Sequence, residues 1–232
     1  LTARRHLKGP FDPSTARVVL TATPEVLRNA GTAVVPFLNR RGLRVVAAAG
    51  LASTAKGYDL FPFVDRRIVR RLLRRKSWLD VRRTAAREGV YVRALLSMPT
   101  ESVSVVISGR HDEIRAIDRN GIPLFRSTPR RPRAPDVAEI MSIVAKRDRR
   151  LEQIAREFIV RQVRGDLACP LPQRVAALIR DRMCGSPSAV MTVVGSGNHG
   201  ILLGVPFYEL YLKRGRRALP AALFSILAVI HM

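Results

Sequence analysis

"VYVRALLSMPTESVSVVISGRHDEIRAIDRNGIPLFRS", residues 90–127, breaks into four short β-rich runs separated by Gly, Pro, Asn or Thr. Asn120-Gly121 between the last two is a hairpin-turn pair, so the stretch predicts an antiparallel meander. Towards the N-terminus, "ARVVLTAT" at 16–23 has the β-branched density of a strand, and "PEVLRNAG" after it predicts a short helix ending at Gly31. Residues 43–54, small and apolar, suit a closely packed helix. From Phe63 to Arg87 the apolar positions Val64, Ile68, Leu72, Leu79 and Val81 loosely keep a helical period among arginines, which predicts one basic amphipathic helix.

Beyond the meander, "STPRRPRAP" at 127–135 is a stiff, solvated boundary. Asp136 can then cap a long helix carried by Ile140, Ile143, Val144, Leu151, Ile154, Phe158 and Ile159. Further helices are predicted at 171–183, 199–213 and from 217 onward. The expected fold is α+β: residues 1–130 form an antiparallel β-meander with helices, and residues 131–232 an all-helical domain with a Gly-rich loop. No internal repeat is present.

A hydrophobic content of 47% over 232 residues is ample for a core and excludes a disordered chain. The formal charge is +23, and Lys8, Lys56, Lys76, Lys146 and Lys213 are the only lysines among 41 basic residues. Such a charge fits a polyanion partner, or an arginine-biased composition that fills solvated helix faces. The arginines are spread along the chain, aromatic residues make up only 6%, and no zinc-finger, RNA-recognition or basic-zipper pattern occurs, which leaves nucleic acid the lesser alternative. Cys169 and Cys184 form neither a disulfide framework nor a CxxC site and suit a reducing compartment, the cytoplasm. "LTARRHLKGPFD" lacks the apolar core of a signal peptide. The sequence starts without Met and stops at "AALFSILAVIHM" inside an apolar run, the pattern of a longer protein truncated at its C-terminus. Residues 183–208 carry no charge and are long enough to cross a bilayer, but the polar "GSGNHG" in their middle argues against a span.

That polar stretch belongs to "VVGSGNHGILLGV", residues 193–205. A Gly-rich turn leading into a helix presents unpaired N–H groups and the positive end of the helix dipole, and so can hold an anion. Gly195, Gly197 and Gly200 permit close approach, while Ser196, Asn198 and His199 offer polar side chains. The spacing is neither a Walker loop nor GxGxxG, and a purely structural turn fits it equally well.

The wider segment "RMCGSPSAVMTVVGSGNHGI", residues 182–201, resembles the R-M-x-G … M … G-S-G-N-Q-G-I stretch of the L-cysteine desulfidases and iron–sulfur serine dehydratase alpha-type proteins, through Arg182, Met183, Gly185, Met191, Gly195, Ser196, Gly197, Asn198, Gly200 and Ile201. "ISGRHDEIRAIDRNGIPLF" is similar to that family's G-G-H-T-N-I stretch at Gly109, His111, Ile114, Asn120 and Gly121, and "RNAGTAVVP" to another segment through Asn29 and Pro36. "ALFSILAVIHM" is similar to a family helix with a histidine, here His231.

The resemblance implies a lyase that carries out β-elimination on L-cysteine or L-serine, releasing pyruvate and ammonia with a [4Fe–4S] cluster as cofactor. It implies a substrate-binding role for Gly195, Ser196, Gly197, Asn198, His199 and Gly200, with His111 a further candidate; no catalytic residue is assigned. The family's G-C-T-E-P motif and its C-terminal cysteines have no counterpart here, and His199 stands where the family has Gln. The cluster ligands are therefore expected outside this chain, in missing segments or in a second chain, and this chain alone is expected to be inactive.

Overall fold

The computed structural model of the chain describes residues 1–55, 63–85, 89–110, 113–128, 135–162, 168–193 and 196–231. The fold is α+β. The chain divides into two compact units, Leu1–Pro129 with Met183–Pro187, and Arg130–Arg182 with Ser188–Met232.

The first unit is built on a six-stranded, mostly antiparallel sheet whose neighbouring strands are, from edge to edge, Leu79–Arg83, Arg17–Ala22, Val90–Ser97, Ser102–Gly109, Ile114–Arg119 and Ile122–Arg126. The meander is β5 (Val90–Ser97), β6 (Ser102–Gly109), β7 (Ile114–Arg119) and β8 (Ile122–Arg126). Asn120 and Gly121 turn the last hairpin with φ of 51° and 79°, the two left-handed positions of a type I′ turn. Asn120 also accepts a 2.7 Å hydrogen bond from the Ser102 amide through its Oδ1, tying the turn to the neighbouring strand.

Strand β1 (Arg17–Ala22) pairs antiparallel with β5 on one side. On its other side lies β4 (Leu79–Arg83), in parallel. This corrects the single helix expected over 63–87: the helix α4 covers only Arg66–Arg74. Just past its end, the Arg44 guanidinium donates to the carbonyls of Arg75 and, at 2.8 Å, Lys76. Arg75 is extended, Trp78 is fully buried, and the Trp78 carbonyl accepts from the Val18 amide at 2.7 Å, starting the parallel pairing. Leu79 and Val81 therefore obey a strand's period of two.

Helices α1 (Thr2–Arg5), α2 (Pro24–Thr32) and α3 (Leu43–Ala52), with the short strands β2 (Val34–Val35) and β3 (Arg40–Arg41), complete the unit. Its core joins Val18, Leu96, Val103, Val105 and Ile117 of the sheet to Ala48, Leu51, Val69, Leu72 and Trp78.

The second unit is helical: α5 (Val137–Ala145), α6 (Arg149–Arg161), α7 (Leu171–Met183), α8 (Gly197–Arg214), a single 3-10 turn (Gly215–Ala218) and α9 (Leu219–His231). Asp136 caps α5 in a reciprocal capping box with Glu139. The long helix expected from Asp136 is two helices. Arg147 adopts φ of 51°, and Asp148 caps α6 by accepting from the amides of Arg150 at 2.7 Å and Leu151 at 3.1 Å. Ala155, Phe158 and Ile159 of α6 form the core with Leu219, Ala222, Leu223 and Ile226 of α9 and with Val193. Most of the Pro/Arg stretch expected as a boundary, residues 129–134, lies outside the described residues.

Candidate carboxylate site at the start of helix α8

The Gly-rich segment is less of a loop than its sequence suggests. Val193 and Ser196 exchange two backbone hydrogen bonds, 3.2 and 2.9 Å, which close the chain on itself immediately before α8. Helix α8 starts at Gly197 and not at 199, because Ser196 takes up an extended conformation and its Oγ accepts from the His199 amide at 3.3 Å. Gly197, Asn198, His199 and Gly200 thus form the first turn of α8, where a helix leaves amides without intrahelical acceptors and its dipole is positive.

Two of these glycines are required by close approach. A Cβ on Gly197 would stand 2.6 Å from Nε and 2.9 Å from Cζ of Arg182, and 2.9 Å from Cγ2 of Val190. The missing side chain lets a guanidinium lie against the first turn. A Cβ on Gly200 would stand 1.9 Å from the Met191 carbonyl oxygen. That carbonyl accepts a 2.8 Å hydrogen bond from Nε2 of Gln162, which is 1% exposed. Gly200 is therefore a packing glycine, and the same Gln162 side chain fills the space beside Gly204.

Arg182, at the end of α7, reaches this turn and donates from Nη1 to Asn198 Oδ1 at 2.9 Å. Partial burial lowers its pKa from the usual arginine value by desolvation. Among the described residues no carboxylate pairs with it. A half-buried guanidinium, a helix N-terminus and the Asn198 amide together form a setting suited to a carboxylate, which a guanidinium can grip through two parallel N–H···O bonds.

Of the residues expected from the sequence, Ser196, Gly197, Asn198, His199 and Gly200 share one helical turn, with His199 exposed and Ser196 and Asn198 half-buried. Gly195 and His111 lie outside the described residues, as does the side chain of His231. Arg182 was not among the expected contacts, although it opens the R-M-x-G part of the resemblance. No sequence signal pointed to Gln162.

Cys169 is half-buried and Cys184 exposed, both unpaired, and they fall in different units. Two thiolates do not satisfy a [4Fe–4S] cluster, which ordinarily draws on three or four, so the residues of this chain do not fit the group. Among the described residues no helix is long and apolar enough to cross a membrane. The chain matches no protein-family model, no curated protein and no solved structure.

Proposed function

We propose that this chain is the substrate-holding segment of a lyase that carries out β-elimination on a small amino acid, L-cysteine or L-serine. One observation carries the reading: two parts of the resembling segment, Arg182 and the turn around Asn198, are hydrogen-bonded at the start of α8, with Gly197 leaving room for the guanidinium. Arg182 and the first turn of α8 hold the substrate carboxylate, and Ser196, Asn198 and His199 orient the rest of the amino acid. Fixing the carboxylate sets the direction of the Cα–H bond that elimination breaks. Loss of the α-proton and of the β-substituent, sulfide from cysteine or water from serine, gives an aminoacrylate. Its imine tautomer hydrolyses to pyruvate and ammonia.

The contribution of this chain is binding and orientation; the implied cluster would be held by residues from another segment or a second chain. A reducing, cytoplasmic setting suits the two free thiols. The test is pyruvate formation from L-cysteine and L-serine by the chain expressed anaerobically with its flanking coding sequence. Arg182→Gln should lower kcat/KM by about tenfold or more, the value of one charge-assisted contact. Equal activity in the variant, or no pyruvate from either amino acid, overturns the reading.

A second reading rests on α4, where Arg66, Arg67, Arg70, Arg71 and Arg74 are all exposed and Asp65, the acid at its start, is engaged as the N-cap. Such a face suits the phosphates of a nucleic acid, and its binding would fall steeply with salt.

A further inference from the structure

We propose that the helical unit carries a second anion site, distinct from the start of α8, which takes a small phosphate-bearing ligand. It is a cavity of about 370 Å³ between α6, the end of α8 and the 3-10 turn, lined by Arg149, Glu152, Arg156, Tyr211 and Arg216 among others.

Arg149, Glu152 and Arg156 follow one another at steps of three and four along α6 and so share a face. Glu152 is 3% exposed, and both of its oxygens are taken: Oε1 accepts from Arg147 Nε at 2.5 Å and Oε2 from Arg216 Nη2 at 2.9 Å. Those two guanidinium hydrogen bonds hold its carboxyl below the usual range, so it is ionised and fully committed. Arg156 donates from Nε to the Tyr211 hydroxyl at 3.1 Å, which fixes its stem and leaves its terminal nitrogens for another acceptor. Among the described residues no carboxylate pairs with Arg149 or Arg156.

Three guanidinium groups from two elements, α6 and the 3-10 turn, thus line one cavity whose single carboxylate already answers two arginines, one of them outside the cavity. Like charges gathered on a concave surface repel unless an anion lies between them. A carboxylate offers two oxygens in one plane, whereas a phosphate offers three in a tetrahedral array, which suits donors approaching from different elements. Leu219 adds an apolar wall, and the volume admits a small organic group beside the phosphate.

The proposal stands apart from the lyase reading. The test is calorimetric titration of the whole chain at constant ionic strength with inorganic phosphate and with glycerol phosphate, against the double variant Arg149→Gln/Arg156→Gln. Both substituted residues are exposed, and the hydrogen bonds of Glu152 run to Arg147 and Arg216 instead, so the fold is expected to be kept. Saturable binding of at least one titrant is expected, weakened about a hundredfold in the double variant, at about tenfold per lost contact. Tighter binding of the ester supports a phosphorylated metabolite, and tighter binding of inorganic phosphate supports the free ion. No binding of either, or equal binding by the double variant, overturns the proposal. Titration with L-serine should give the same result in both proteins, which keeps this test separate from that of the α8 site.

Discussion

Gly197 and Gly200 stand three residues apart in one helical turn, yet a methyl group would act differently at each. At Gly197 it meets a guanidinium, the far end of a flexible side chain, together with a valine methyl. Gly197→Ala should therefore leave the melting temperature within a few degrees of wild type while displacing Arg182 and weakening carboxylate binding. At Gly200 it meets a backbone carbonyl held by Gln162, which cannot yield cheaply. Gly200→Ala should cost about 1–3 kcal/mol, the range for overpacking, and lower the midpoint of urea unfolding. Glu152 gives a prediction with a definite sign. Its pKa is depressed in the folded chain by hydrogen bonds from Arg147 and Arg216, so between the folded and unfolded values the unfolded state binds more protons. The stability it contributes is fully present above the unfolded value of about 4.5 and is lost as pH falls through the folded one. The difference in melting temperature between wild type and Glu152→Gln should be large at pH 7 and shrink toward zero well below pH 4.

Among the elements, the break between α5 and α6 depends on Asp148, whose carboxylate takes two otherwise unpaired amides. Asp148→Ala should cost about 1 kcal/mol, as N-cap losses do, measured by denaturant unfolding. The meander and its Asn120-Gly121 turn were legible in the sequence because their determinants are local: alternation along each run, and two residues that accept a positive φ. Strand β4 was not, because its pairing partner β1 lies some sixty residues earlier and Leu79 and Val81 satisfy a loose helical count as well as a strand's. The split of the long helix is hidden in the sequence for a related reason. Its apolar period runs through Lys146–Asp148 almost unbroken, and only the left-handed Arg147 and the second cap interrupt it. At the candidate site, Ser196 and Asn198 were readable from the resembling segment, whereas the packing role of Gly200 depends on Met191 and Gln162, a tertiary contact that no local pattern encodes.

At the scale of the whole molecule, the sequence's main features are divided between the two units. The exposed arginines of α4 and the sheet belong to one unit, while the start of α8 and the arginine-lined cavity belong to the other. The charge of +23 therefore need not answer to a single partner. In the proposed reading the start of α8 holds the carboxylate of a small amino acid through Arg182. The most direct measurement is calorimetric titration of the chain with L-serine, repeated with Arg182→Gln. Saturable binding by the wild-type chain is expected, with an affinity about tenfold lower in the variant, the loss of one charge-assisted contact. Undetectable binding by the wild-type chain, or equal affinity in the two proteins, would contradict it.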